Sequence, residues 1–281
     1  MATWSIDDIP WDRFEKSRVN PDIVPIVKAA CVVEYNAGDY RHYLNNVLDK
    51  DSRTQIAIKE WSREEIQHGR VLGRWAELAD PDFDFDRSYR LFRENFSFPI
   101  DVSESTRGSR VGELIARCMV ETGTTSFYSA LADATDEPVL KEICRRIADD
   151  EFAHYHMFYA FMRRSLKDEN LSFRQRLGVA FQRIAEAEDD ELATAYWAAN
   201  RPNEPFVRRP NSVAHARGTL RYYRPSHIQR MIDMVFGALG LKSTGPLGWV
   251  VTRIARAFVW YRGRLQPRTD VLLSRLTSAQ P

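Results

Sequence analysis

Apolar residues recur every three or four positions through most of the chain, the spacing that lines one face of an α-helix. From Ile23 to about Leu48 they follow Asn20, which can cap a helix, and Pro21, which suits a first turn. Asp51 and Ser52 open a second helix, stopped near residue 79 by Ala79-Asp80-Pro81. The spacing predicts a third helix from about Ser105 to Ala134 and a fourth from Asp136-Glu137-Pro138 to about Leu166. A fifth starts at Ser172 and ends before Arg201-Pro202, and shorter ones follow at about 225–239, 247–264 and 268–278. Residues 80–102 are aromatic and acidic and read as a long connection, where a bundle crosses from one helix pair to the next. Period-two alternation is absent, so the fold class is all-α: a four-helix bundle with one crossover and additional C-terminal helices. The expected organisation is an N-terminal extension over 1–20, a bundle core over 21–170, and helices with a basic surface over 171–281, packed on the same domain.

The four long helices carry a repeated set of polar residues on apolar backgrounds. The second contains Glu65-Ile66-Gln67-His68 and the fourth Glu151-Phe152-Ala153-His154. The i,i+3 spacing places each carboxylate beside its imidazole on one helix face. The first and third helices each offer one glutamate among apolar or small residues, Glu34 and Glu121. Corresponding residues of the two halves lie 87, 86 and 86 positions apart. Four buried carboxylates would repel one another and resist desolvation unless they surround cations. Two divalent ions balance four carboxylates, and the two histidines complete the set. Oxygen-rich ligands with one nitrogen per metal favour iron or manganese over zinc or copper, so a manganese–iron pair stays open beside two irons.

The wording around these ligands resembles the soluble acyl-acyl-carrier-protein desaturases, within the wider ferritin-like non-haem di-iron superfamily. Trp61 to Gly69 (WSREEIQHG), Glu121 with Thr124, and Ile147 to His154 (IADDEFAH) carry the likeness, which spans about residues 25–165. The resemblance implies metal ligands Glu34, Glu65, His68, Glu121, Glu151 and His154, with Glu65 and Glu151 bridging. It implies that Asp150 hydrogen-bonds a ligand histidine. Thr124, one turn from Glu121, could present its hydroxyl to bound dioxygen or merely relieve crowding. The implied activity is desaturation of a carrier-bound fatty acyl chain, with O2 as co-substrate, two iron ions, and an external electron donor such as ferredoxin. Relatives with the same ligand order include hydroxylases, N-oxygenases and ribonucleotide reductase small subunits. Leu72 stands where those reductases place a radical tyrosine. Missing Cys pairs set rubrerythrins aside, and chain length with the extra basic region sets ferritins aside; iron oxidation or storage is the non-enzymatic alternative. Gly123-Thr124-Thr125-Ser126 is small for a bundle helix, which fits either room for a substrate or close helix packing.

Charge adds a separate question. The chain of 281 residues has a net charge of +1, yet residues 1–200 sum to −10 and residues 201–281 to +11. The basic part fits an acidic acyl carrier protein, the acidic part of the same chain or of a homodimer, or an anionic membrane surface, in that order. Nucleic acid is not expected, for want of a binding motif. No run of about 18 apolar residues predicts a membrane span. Cys31, Cys118 and Cys144 are odd in number and widely spaced, which suits a reducing cytoplasm, and the N-terminus has no apolar stretch of a secretory signal.

Overall fold

The computed structural model describes residues 4–48, 51–186 and 190–264, and no strand occurs among them. Four long elements make the bundle: α1 (Val24–Tyr35), α3 (Ser52–Ala79), α5 (Arg110–Ala134) and α6 (Pro138–Ser165). Helix α1 packs along α3, α5 along α6, and α3 meets α6. Their starts are chemically marked. The Asp51 carboxylate accepts from the amides of Arg53 and Thr54, Ser109 from Gly112, and Glu137 from Val139 and Leu140 ahead of Pro138. The Trp75 indole also donates to Glu137 at 2.7 Å, which ties the start of α6 to α3.

The first expected helix is two. It breaks at Asn36 and resumes as α2 (Ala37–Val47). Asn36 is fully buried, its side-chain oxygen accepts from Arg93, and the Ser62 hydroxyl takes up the Ala37 carbonyl. Tertiary partners therefore hold a break that apolar spacing runs straight through. The crossover is likewise not a bare connection. It holds α4 (Phe85–Asn95), capped by Asp84, with Phe92 buried and stacked between Tyr89 and Phe96. Its many charged residues hide a helical stripe at 85, 89, 92 and 96.

The expected fifth helix is described as α7 (Phe173–Ala185) and α8 (Asp190–Asn200). At the end of α7, Glu186 is gripped by both guanidinium nitrogens of Arg107. Helix α9 (Arg208–Leu220) occupies a stretch where none was expected, because it buries Asn211, Ser212 and Ala216 rather than bulky apolar residues. Helices α10 (Pro225–Leu239) and α11 (Pro246–Arg262) lie where the spacing put them; the helix expected at 268–278 falls outside the described residues. Gly240, at φ +75°, closes α10 in a left-handed conformation that favours glycine.

Two apolar cores result, one around Trp75, Phe92, Leu131 and Ile143, the other around Leu44, Ile58, Ile115 and Phe158. A polar layer separates them along α3, α5 and α6. On α3, Trp61 belongs to one core and Leu72 to the other, with Glu65 and His68 between. On α6, Ile147 and Phe158 flank Glu151 and His154 in the same way.

Candidate metal centre

The polar layer brings all six expected ligands together. One quartet is Glu34, Glu65, His68 and Glu151; the other is Glu65, Glu121, Glu151 and His154; within each, one ligand atom per residue lies within 4.8 Å of the rest. Glu65 and Glu151 belong to both. All six side chains are buried. His68 Nδ1 lies 3.2 Å from Glu151 and 3.6 Å from Glu65, and His154 Nδ1 lies 3.1 Å from Glu65 and 3.8 Å from Glu121.

Buried polar atoms normally find hydrogen-bond partners. Here His68 Nδ1, His154 Nδ1, both oxygens of Glu121 and Oε1 of Glu151 have none. These orphaned atoms all belong to the six residues that converge, and oxygen and imidazole donors of this kind suit iron or manganese. The residues present therefore fit a pair of such ions.

The far side of each imidazole is held. Nε2 of His68 lies 3.0 Å from Asp150, and Nε2 of His154 lies 2.8 Å from Glu64. A carboxylate there fixes the Nε2–H tautomer and leaves the Nδ1 lone pair aimed inward. Asp150 thus crosses from α6 to the histidine of α3 instead of serving its own helix neighbour His154. Glu64, which the sequence reading passed over, is its counterpart on α3. The signal was present: Glu64 and Asp150 each precede the Glu of a Glu-x-x-His and are themselves 86 residues apart. Asp150→Asn should weaken metal binding about 10–100-fold while leaving stoichiometry at saturation unchanged, read by competition with a fluorescent chelator.

Three further contacts come from outside the motifs. The Trp4 indole donates to Asp150 at 2.8 Å, its ring stacks over His68, and Gln67 bonds its carbonyl, so the N-terminal segment straps across the centre. The buried Tyr128 hydroxyl donates to Glu34. Thr124 donates to Glu151 and also faces the backbone carbonyls of Val120 and Glu121, so its hydroxyl does reach the centre. Thr125 and Ser126 turn back to the carbonyls of Glu121 and Thr122. A side chain added at Gly123 would meet nothing within 4 Å, so close helix packing does not explain that glycine. Cys118 is a buried core residue whose thiol burial pushes up, and Trp61 packs edge-on against Phe158. His42 pairs with Asp101 at the surface and His227 with Asp133, away from the centre.

Burial, and then the charges of neighbouring carboxylates, hold Glu34 and Glu121 well above the usual carboxylate range. Burial would likewise raise Glu65, but the two imidazoles outweigh it and hold it low. Burial works to lower both histidines; Asp150, Glu151 and Glu65 outweigh it at His68, and Glu64 and Glu65 raise His154 to about 9. With the metals removed, the folded protein thus binds more protons at Glu34, Glu121, His68 and His154 than the unfolded chain does. Its stability should fall as pH rises. The His154 contribution is complete below its ordinary 6.5 and is lost as pH passes about 9, while Glu65 stays ionised throughout that window. Urea titrations of chelator-treated protein should show a lower midpoint at the alkaline end. Metal affinity should move the other way, because the ions must displace those protons.

Comparison with known proteins agrees with this geometry. A family model described as Rubrerythrin matches residues 114–211, which run from α5 into the first turn of α9 and include Glu121, Glu151 and His154. A search of curated proteins finds no match. The matched stretch is about a third of the chain, and it supports placement in the ferritin-like di-iron superfamily. The fold is an all-α, ferritin-like helical bundle. Missing Cys pairs had set rubrerythrins aside, yet the match falls on the α5–α6 pair, whose Cys118 and Cys144 are single, buried and free. Among the described residues no helix is long and apolar enough to cross a membrane.

Proposed function

We propose that the protein is a dioxygen-activating non-haem di-iron oxidoreductase that desaturates a fatty acyl chain bound to an acidic carrier protein. The observation that carries the metal reading is the pair of quartets sharing Glu65 and Glu151, with orphaned donor atoms facing one another. Glu34 and His68 would hold one ion, Glu121 and His154 the other, and Glu65 and Glu151 both. The chemistry supplied by a bound iron pair is reductive activation of dioxygen, strong enough to remove hydrogen from an unactivated methylene.

The chain's own residues do the rest. Asp150 and Glu64 orient the imidazoles, and the two apolar cores exclude water from the layer between them. The Thr124 hydroxyl, donating to Glu151, is placed to hold a proton beside the centre. The run Trp4–Asp150–His68 leads from a partly exposed indole to the centre and supports electron delivery by a separate reductant of ferredoxin type. Desaturation specifically rests on the Trp61–Gly69, Glu121/Thr124 and Ile147–His154 resemblance.

A single turnover tests the reading. The protein is loaded with ferrous iron, reduced, given acyl-carrier substrate and exposed to oxygen, and the acyl chain is then weighed. A loss of about 2 mass units is expected, whereas a gain of about 16 assigns a hydroxylase. Unchanged acyl chains with net iron oxidation and storage would reject the acyl-chain reading.

A further inference from the structure

The arginines of the C-terminal third divide into two groups. Arg208 pairs with Asp190, Arg221 with Asp22 and Arg224 with Asp133, and Arg230 bonds Ser129. These side chains tie α9 and α10 to the acidic part of the same chain, so part of the charge asymmetry is answered internally. Arg253 and Arg256 on α11 are different. Both are exposed, neither forms an ion pair among the described residues, and no acidic residue occurs from Met234 to Arg264.

Helix α11 packs on α10 and α9 through a narrow strip, Gly248, Thr252 and Val259. Two other rows face outward. Leu247, Val250, Ile254, Phe258 and Tyr261 follow one another at three- and four-residue steps and form one stripe, with Ile254 64% exposed. Trp249, Arg253, Arg256 and Trp260 form the second row by the same spacing, with the Arg253 guanidinium 4.8 Å from the Trp249 ring centre. From Leu247 to Tyr261 the helix advances about 20 Å, so the exposed apolar stripe is long.

We propose that α11 is an interfacial helix that seats the protein on an anionic lipid bilayer. The acyl region of a bilayer would take the first row. The headgroup region would take the second, where indoles are favoured and arginine stems can lie along apolar surface with their charge among phosphates. A second copy fits poorly: it would cover the apolar stripe but leave Arg253 and Arg256 without an opposite charge, since no acidic residue occurs from Met234 to Arg264. A soluble acidic partner accounts for the arginines but not for a row of five bulky apolar side chains. This inference does not depend on which reaction the metal centre performs.

The test uses the full-length, metal-loaded protein in low salt. Vesicles of equal parts phosphatidylcholine and phosphatidylglycerol should sediment it and shift tryptophan emission to shorter wavelength; pure phosphatidylcholine should bind at least about tenfold more weakly. Arg253→Gln with Arg256→Gln should weaken binding to the anionic vesicles about 30-fold, at about fivefold per charge. Ile254→Ser with Phe258→Ser should abolish the emission shift and weaken binding at least about tenfold, with metal content and helicity unchanged. Absence of binding to anionic vesicles overturns the proposal, as does equal binding by both double variants. So does wild-type protein that ignores vesicles but forms a dimer split by Ile254→Ser with Phe258→Ser, or that instead captures a purified acidic carrier protein through α11.

Discussion

Glu151→Ala is expected to remove both metal ions, whereas Glu34→Ala or Glu121→Ala removes one. The difference follows from membership: Glu151 stands in both quartets, and Glu34 and Glu121 in one each. Loss of turnover should exceed the 10–100-fold typical of losing an outer hydrogen-bond partner, because the site itself is dismantled. Misfolding is separable from metal loss by a second measurement. In the metal-free protein Glu151 adds to the repulsion that holds Glu34 and Glu121 high. Removing one buried carboxylate from that crowd should leave the metal-free variant at least as stable as metal-free wild type. Metal analysis after anaerobic ferrous loading, alongside urea titrations of the metal-free forms, checks both halves. A Glu151→Ala protein that kept two ions would falsify the ligand assignment.

Gly69→Ala should have the second largest effect, through geometry rather than charge. A methyl group at position 69 would lie 2.6–2.8 Å from the amide nitrogen, Cα and Cβ of Tyr35. Most of those atoms are backbone, so relief requires α1 to move away from α3. Glu34 is the residue next to Tyr35, and its reach into the first quartet depends on that close approach. The variant should lose about 1–3 kcal/mol of stability to overpacking and bind one ion much more weakly than the other. Thermal melts and stepwise metal titration read the two effects. Two equal, unperturbed sites would show that α1 tolerates the shift. Gly69 closes the Trp61–Gly69 segment that carries part of the desaturase resemblance, and its contact with Tyr35 gives that position a physical reason.

The legible part of the site was the part written in one dimension. Glu65 and His68, or Glu151 and His154, share a helix face because three residues is nearly one turn, whatever the helix packs against. The matched spacing of the two halves then announced that four helices present the same chemistry at the same depth. Glu64 was equally legible by that register, since it precedes Glu65 as Asp150 precedes Glu151. Trp4 and Tyr128 were not legible at all. Trp4 arrives from an N-terminal segment 146 residues from Asp150, and Tyr128 reaches Glu34 across 94 residues, with no spacing rule to connect them. Helices α4 and α9 were hidden for a different reason: their buried faces are small, polar or embedded among charges, so hydrophobic periodicity had little to register.

The sequence by itself determined the all-α class, the two Glu-x-x-His pairs with a lone glutamate at matched spacing before each, and the division of charge at about residue 200. Local spacing and composition suffice for each of these, since they survive any arrangement of the helices. Only the tertiary structure decided that Asp150 serves His68 and Glu64 serves His154, because helix rotation and crossing choose between neighbours a turn apart. It also decided which arginines are answered within the chain and which, on α11, face outward among exposed aromatic residues. A charge count sums over the chain, whereas pairing depends on which surfaces the fold brings within reach.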